Sequence, residues 1–489
     1  MRENWRTVGH VLAVGILAGM GGIRPGRAQE SVAAGRSGDA ARIAALEEKI
    51  RRLDERLALL ESSPSENAGV LVASNGAIPA AAIMPATAAG AVSAGAPLQS
   101  AAAPAATPEV LVGAGADGFN LGSADEDFQL NIRYQMNVDS RFAADRVIGE
   151  ANSIYLRRAQ SILGGTMFRR FEYYMLADFG QGRARVNDAY MEIAFAPGLS
   201  LQAGKFKMPV GLERLRGGTS LTIAERSLAT QLVPNRDVGL QLYGDLGDGK
   251  ISYAVGVFNG VADAVTGDGD TDDGKEFAAR LFSHPFAGSG ATALEGLGIG
   301  MGVSRGETQS LPEYSTTGQT TFFEYSTAAI ADGARYRIAP QAYYYYGRLG
   351  LLGEYVLSSQ EIRNNLTNQF YSPKNTGFQV QGTFLLTDDT ASYGAVSPAR
   401  NFDPANGTFG AFELAARYTE LRVDRGVYEQ GIGGGMAQKA KAWALGLNWY
   451  MNRSVRLMFN YEHTDFVERP GGDAVPTEKV FLQRLQFRL

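Results

Sequence analysis

The sequence predicts an all-β fold, a transmembrane antiparallel β-barrel of about 16 strands preceded by a short N-terminal coiled-coil helix and a disordered linker. Three observations lead to this prediction. Long segments alternate apolar and polar residues with a period of two, as in residues 128–139. The composition is rich in glycine (60 residues), phenylalanine (24) and tyrosine (21). The chain also opens with the pattern of a secretory signal.

Composition excludes several classes of protein. The chain has no cysteine, which excludes a disulfide framework, a thiolate zinc site and a cysteine nucleophile. A mean hydropathy of -0.14 excludes a helical membrane protein, because such proteins need repeated apolar runs of about 20 residues. The net charge of -5 gives no indication of a nucleic-acid partner.

Residues 1–28 carry the pattern of a signal peptide. Arg2 and Arg6 precede an apolar run over 8–23, and the small residues Gly26 and Ala28 mark a cleavage site after Ala28. The alternative is a short membrane anchor. With the signal, the mature protein leaves the cytoplasm.

Residues 40–61 predict a coiled coil, because six apolar residues are spaced alternately by three and four positions. These are Ile43, Leu46, Ile50, Leu53, Leu57 and Leu60. The flanking charges favour a parallel homo-oligomer, and isoleucine with leucine at the seam favours a dimer. The alternative is an amphipathic helix that packs on its own protein. Residues 62–118 are rich in Ala, Pro, Gly and Ser, so they predict a flexible linker.

Residues 119–489 predict the barrel domain. The strand at 128–139 is about twice the usual length of a soluble strand and fits a tilted crossing of a bilayer. Short turns alternate with long polar loops, and an even strand number leaves both ends in the periplasm. One connection, 387–408, is long where this pattern requires a short turn. The alternative is a soluble sandwich whose apolar faces pack together. The strands are predicted at 127–139, 153–166, 168–179, 185–196, 199–208, 236–245, 250–259, 275–284, 296–306, 335–346, 350–360, 375–386, 409–422, 437–449, 454–466 and 477–489.

An ordered series of segments resembles the phosphate-selective porin O and P family. It includes VNDAYMEIAF (186–195), LQAGKFKMPVGLERL (201–215), PNRDVG (234–239), YAVGVFNG (253–260) and LNWYMNRSVRLMFNY (447–461). The resemblance implies a 16-stranded trimeric barrel with its third long loop folded into the pore and basic residues along an anion path. It favours a trimer over the dimer that the heptad suggests. The last residue, Leu489, departs from the aromatic residue that usually ends such barrels.

The predicted function is therefore an outer-membrane porin, a water-filled channel for passive diffusion of small solutes that prefers anions, phosphate among them. The coiled coil would lie in the periplasm. The alternative is a structural tether in which the coiled coil contacts the cell wall and the barrel anchors it in outer-membrane lipid. An energy-coupled receptor is disfavoured, because it needs a folded plug and commonly 22 strands, and here the predicted coiled coil and linker occupy the place of the plug.

The candidate anion path consists of basic residues at the third loop and at lumen-facing strand positions. These are Lys205, Lys207, Arg214, Arg216, Arg226, Arg133, Arg280, Arg337, Arg417 and Arg456. Strand parity does not settle Lys205 and Lys207, which point inward only if the chain bends there. The alternative is that lumen arginines pair with carboxylates such as Asp188 and Glu413 and stiffen the wall. The barrel region has no overall basic excess, so any selectivity depends on local placement.

Other chemistry is weakly indicated. Asp268, Asp270 and Asp272 are a weak surface metal candidate, because Gly274 lies one position late for a calcium loop and the loop lacks its final glutamate. The alternative is a solvated acidic loop tip. No cofactor and no enzymatic activity are predicted. His463, near Asp465, is the one histidine that could serve a site at the barrel rim.

Overall fold

The computed structural model describes residues 110–145, 152–270 and 272–489. The predicted signal peptide and coiled coil, and the linker as far as residue 109, lie outside the described residues. Within the described part of the chain, no helix is long and apolar enough to cross a membrane.

Strands make up most of the described chain. They are β1 (Val110–Gly115), β2 (Gly118–Ser123), β3 (Phe128–Asp145), β4 (Ser153–Met167), β5 (Phe171–Asp178), β6 (Arg185–Ala196), β7 (Leu199–Lys207), β8 (Arg236–Leu246), β9 (Ile251–Phe258), β10 (Glu276–Ser283), β11 (Leu297–Glu307), β12 (Tyr314–Ser315), β13 (Thr321–Phe323), β14 (Ala329–Tyr346), β15 (Leu349–Asn364), β16 (Phe370–Tyr371), β17 (Lys374–Leu385), β18 (Phe402–Asp403), β19 (Thr408–Phe409), β20 (Ala411–Arg422), β21 (Ala437–Tyr450), β22 (Val455–Glu468) and β23 (Glu478–Arg488). The helical segments are short: α1 (Leu212–Leu215), α2 (Gly426–Glu429), and 3₁₀ turns at Gly180–Gly182, Gly218–Ser220, Leu228–Leu232 and Pro404–Asn406.

Sixteen of these strands form a closed antiparallel barrel, which confirms the predicted fold class. They are β3 to β11, β14, β15, β17 and β20 to β23. The barrel closes where β23 pairs with β3, in a register that sets Leu485 opposite Val138. Each of the 16 predicted strands corresponds to one of them, although β3, β14 and β15 run farther than predicted.

The hairpin β1–β2 was not predicted, because its first strand lies in the segment assigned to the linker. Strand β23 ends early: Leu489 exchanges backbone hydrogen bonds with Tyr134, so the first residues of β3 lack a partner on that side. Strand β2 pairs there, with Phe119 opposite Ile132. The hairpin thus satisfies backbone groups that an uncovered edge would leave open.

The two ends of the barrel differ. The start of β3, the end of β23 and the short connections lie at one end, here called the turn end, and the long connections lie at the other, the loop end. Outward positions are apolar and exposed, such as Leu240 and Leu242 of β8, and they alternate with inward Gln241. This alternation gives an apolar outer belt around a polar lumen.

Loops fill much of the lumen near the loop end. An apolar cluster there joins Met208 and Leu232 from the loop after β7 with Phe322 and Phe323 from the loop after β11. From the turn end, the long connection after β17 also enters: the ring of Tyr393 stacks on Tyr343 with centroids 4.8 Å apart. This explains how residues 387–408 can be long without breaking the alternation of turns and loops.

Candidate functional site

The segment 208–235 between β7 and β8, here called the inward loop, folds into the lumen as the resemblance implies. Its first residues are apolar, and Met208, Val210 and Leu212 are fully buried. The backbone also meets the wall, because Gln341 donates a side-chain hydrogen bond to the carbonyl of Val210 at 2.9 Å. The inward loop is therefore packed structure within the barrel.

Three wall arginines hold the inward loop against β20 to β23. Arg484 forms a bidentate pair with Asp139 of β3 at 2.7 and 2.6 Å, and it also contacts Glu225 of the inward loop at 2.7 Å. Arg417 donates to the carbonyl of Glu225 at 2.7 Å, and Arg456 donates to a second inward-loop carbonyl at 2.9 Å. Buried charges of this kind are stable when each finds several partners.

A similar cluster holds the loop after β9. Arg337 is fully buried; it pairs with Asp263 at 2.6 Å and also with Glu276, while Arg335 pairs with Glu276 at 2.6 Å. The predicted path residues Arg337, Arg417 and Arg456 thus have carboxylate or carbonyl partners that fix loops. This arrangement matches the alternative reading of the lumen arginines as structural.

A crevice of about 430 Å³ remains on the opposite side, between the inward loop and strands β3 to β6. We call it the basic crevice, because nine Lys and Arg residues and two Asp residues line it. The basic residues are Arg133, Arg157, Arg158, Arg183, Arg185, Lys207, Arg214, Arg226 and Arg236.

Two of the nine basic residues are ion-paired. Arg236 binds both oxygens of Asp188 at 2.9 Å, and Arg157 binds Glu225 at 3.0 Å. Burial by itself would raise the pKa of the Glu225 carboxyl, but the charges of Arg157 and Arg484 outweigh it and hold that pKa well below its usual range. Glu225 is therefore ionised and fully engaged by arginines.

The other seven basic residues have no carboxylate within ion-pair distance among the described residues. Arg158 and Arg214 are each only 8% exposed, and the Nε atoms of Arg133 and Arg214 lack a hydrogen-bond partner within the described chain. Burial lowers the pKa of Arg214 to about 10 and that of Arg226 to about 9, where repulsion from Arg214 contributes. Both values stay above neutral pH, so both guanidinium groups remain charged.

Neither aspartate that lines the crevice, Asp178 or Asp188, forms an ion pair with one of these seven basic residues. Asp188 is already paired with Arg236. Asp178 accepts hydrogen bonds from neutral donors, the amide of Gln160 at 2.7 Å and the backbone N–H groups of Ala159 and Gly180 at 3.1 and 2.9 Å. The crevice is therefore a region of excess positive charge within a barrel that has none overall.

The structure divides the ten predicted path residues into three groups, one of which is the set of loop-fixing residues Arg337, Arg417 and Arg456. Lys207, Arg214, Arg226 and Arg133 line the basic crevice. The chain does bend inward after β7, since the Lys207 ammonium donates to the Leu215 carbonyl at 3.2 Å.

Three predicted residues lie elsewhere. Lys205 shares the outward face of β7 and binds Asp268. Arg216 turns towards Tyr393, whose ring centroid lies 5.2 Å from the guanidinium carbon. Arg280 faces the lumen but lies against Gln341 and Phe282, away from the crevice.

Sequence reasoning missed the adjacent pair Arg157 and Arg158. Strict alternation would send one of two neighbours outward, but the pairing of β3 with β4 skips a residue between Asn137 and Val138, leaving Arg157 as the extra residue of a bulge. A bulge redirects the bulged side chain, so both arginines reach the crevice. Two successive arginines inside a lipid-crossing strand were the available signal.

The metal and histidine candidates gain no support. Asp268 pairs with Lys205, Asp270 pairs with Lys275 at 2.6 Å, and Asp272 accepts the Gly274 N–H at 2.8 Å. Within the described ranges, no group of three or more His, Asp or Glu residues is placed to hold a metal ion. His463 stacks on the ring of outward-facing Trp443.

Several known proteins resemble this chain. The chain is 25% identical over 406 residues to Porin O of Pseudomonas aeruginosa, an alignment that covers 76% of this chain and 90% of that protein. Solved structures with a similar fold include the outer membrane channel DcaP of Acinetobacter baumannii (TM-score 0.49, 11% identity, covering 75% of this chain and 99% of that one). Another is an anion-selective porin from Comamonas acidovorans (TM-score 0.48, 10% identity, covering 74% and 100%).

Residues 128–489 match the family of phosphate-selective porins O and P. The match spans the whole barrel, from the first residue of β3 to the last residue of the chain. It therefore includes the inward loop and every strand that lines the basic crevice. This chain belongs to the phosphate-selective porin O and P family and forms a channel of the outer membrane.

Proposed function

We propose that this porin passes small anions by passive diffusion through the basic crevice. The observation that carries the proposal is the set of seven basic side chains that line the crevice without a carboxylate partner in the described chain. In a narrow lumen the effective dielectric constant is below that of water, so fixed charges act strongly on passing ions. Unpaired positive charges there concentrate anions and repel cations.

Phosphate is among the anions that we expect to enter. Guanidinium groups bind phosphate oxygens through two parallel hydrogen bonds, and Arg158 and Arg214 lie on opposite sides of the crevice, on the wall and on the inward loop. Arg417, Arg456 and Arg484 bind the inward loop and hold it in place. The arginines of the inward loop therefore keep their positions as an anion passes.

The path residues in this proposal are a revised set: Lys207, Arg214, Arg226 and Arg133 from the sequence prediction, together with Arg158, Arg183 and Arg185. Lys205, Arg216, Arg280, Arg337, Arg417 and Arg456 are left out because of their positions. We also propose a homotrimer, as the resemblance implies, with the turn end and the coiled coil at 40–61 facing the periplasm. We propose a channel role without catalysis.

The purified protein in a planar bilayer tests the proposed function. With a potassium chloride gradient at low salt, we expect a reversal potential on the anion-selective side. Potassium phosphate added to one chamber should reduce the chloride current, because phosphate occupies the same arginines for longer. The preference should shrink at 1 M salt, where the Debye length is about 3 Å. A reversal potential of zero or on the cation side at low salt would refute anion preference.

A further inference from the structure

The wall of the ion path changes the sign of its charge along the barrel. Near the turn end, lumen-facing positions of β5, β6 and β8 carry carboxylates: Glu172, Glu192 and Asp245. Glu172 lies directly opposite Glu192 in the register of β5 with β6. Glu192 accepts a hydrogen bond from the Tyr243 hydroxyl, and Asp245 follows Tyr243 by two residues, so it shares its face.

We call the part of the β3 to β8 wall between Arg133 and the turn end the acidic half. No Lys or Arg of this wall faces the lumen beside its carboxylates. Between Arg133 and the turn end, the lumen-facing positions of β3 to β8, all of which are described, hold no Lys or Arg. Basic residues of the turns lie at the rim; Arg169, for example, pairs with Asp127 at 2.9 Å. The lumen wall formed by β3 to β8 is therefore negative near the turn end, and the lumen-facing Arg280 of β10 lies beyond this wall, against Gln341 and Phe282.

The two halves adjoin each other. A second cavity of about 200 Å³ shares Arg133 and Tyr174 with the basic crevice and is also lined by Glu172 and Tyr190. An ion that moves from the basic crevice towards the turn end therefore passes Arg133 and Tyr174 and then reaches the carboxylate of Glu172.

We propose that this porin is a bipolar pore, in which Glu172, Glu192 and Asp245 make conduction easier in one direction. The inference rests on the proposed function, because it takes the basic crevice as the ion path. When the turn end is positive, anions enter the basic half from the loop end while cations enter the acidic half from the turn end. Both ions accumulate where the halves meet, and the current rises. The opposite voltage depletes that junction, so the current falls.

Single channels of known orientation test the proposal. Because the chain has no cysteine, Leu366→Cys at an 82% exposed position of the loop end gives one site for biotin. Streptavidin in one chamber then disturbs the current only when the loop end faces it. At about 0.1 M salt, where the Debye length is about 10 Å, we expect roughly twofold more current with the turn end positive.

The triple variant Glu172→Gln, Glu192→Gln, Asp245→Asn keeps side-chain shape and removes the acidic half. We expect its currents at the two polarities to become nearly equal or to keep at most a small asymmetry, while its anion preference stays or increases. The matched control is Glu295→Gln, in the turn between β10 and β11 on another part of the barrel, which should leave the asymmetry unchanged. Equal currents in the parent, or an unchanged asymmetry in the triple variant, would overturn the inference and leave anion preference standing.

Discussion

Replacing Arg158, Arg214 and Arg226 together by glutamine is expected to abolish most of the anion preference. These side chains come from the wall and from the inward loop, and no described carboxylate pairs with them. At about 12 Å and an effective dielectric constant of about 20, one unit charge changes an ion's free energy by about 1.4 kcal/mol, a factor of about ten in partitioning. The ratio of chloride to potassium permeability should therefore fall by roughly tenfold or more at low salt.

The measurement is the reversal potential in a potassium chloride gradient, with phosphate block as a second readout. The control is Arg400→Gln, Arg425→Gln, Arg469→Gln, which removes the same net charge from exposed loop and turn positions. The control should keep the parental reversal potential, because exposed charges are screened by salt. If the crevice variant also keeps it, the three arginines do not select the permeant ion.

The fold could be predicted from the sequence because each strand carries its own signal. Lipid on one side and water on the other impose the period-two pattern on every strand independently, so all 16 strands were found without knowledge of their partners. The hairpin β1–β2 escaped because its reason is tertiary: it fills a gap left where β23 ends beside Tyr134. The insertion of Tyr393 into the lumen likewise depends on a partner, Tyr343, far away in sequence.

The candidate site could be predicted only in part, for a related reason. Parity shows that Arg417 and Arg133 both face the lumen, but it does not show which of them finds a carboxylate. Arg417 meets Glu462 at 2.9 Å, whereas Arg133 lies near the ring of Tyr174. The difference arises because the inward loop packs closely against β14, β15 and β20 to β23 and leaves the crevice on the side of β3 to β6. Arg214 and Arg216, which are only two positions apart, are separated in the same way: Arg214 lines the crevice and Arg216 lies against Tyr393.

Replacing Arg484 by methionine is expected to destabilise the barrel and release the inward loop. Arg484 is fully buried, and its loss leaves the carboxylate of Asp139, which is 1% exposed, without a counter-ion. Removing one partner of a buried ion pair costs about 3–5 kcal/mol. The variant should lose its folded gel mobility at a lower temperature than the parent does, and single channels should show larger, fluctuating conductance as the inward loop leaves the wall.

A second variant separates these two effects. In Arg484→Met with Asp139→Asn, no carboxylate is left unpaired at position 139, so most of the lost thermal stability should return. The inward loop still lacks its contacts from Arg484 to Glu225 and to the Ala224 carbonyl, so the fluctuating conductance should persist. Arg363→Gln, which breaks a partly exposed pair with Asp332 at the loop end, is the control and should change neither property by much. Parental conductance in the double variant would show that Arg417 and Arg456 hold the inward loop without Arg484.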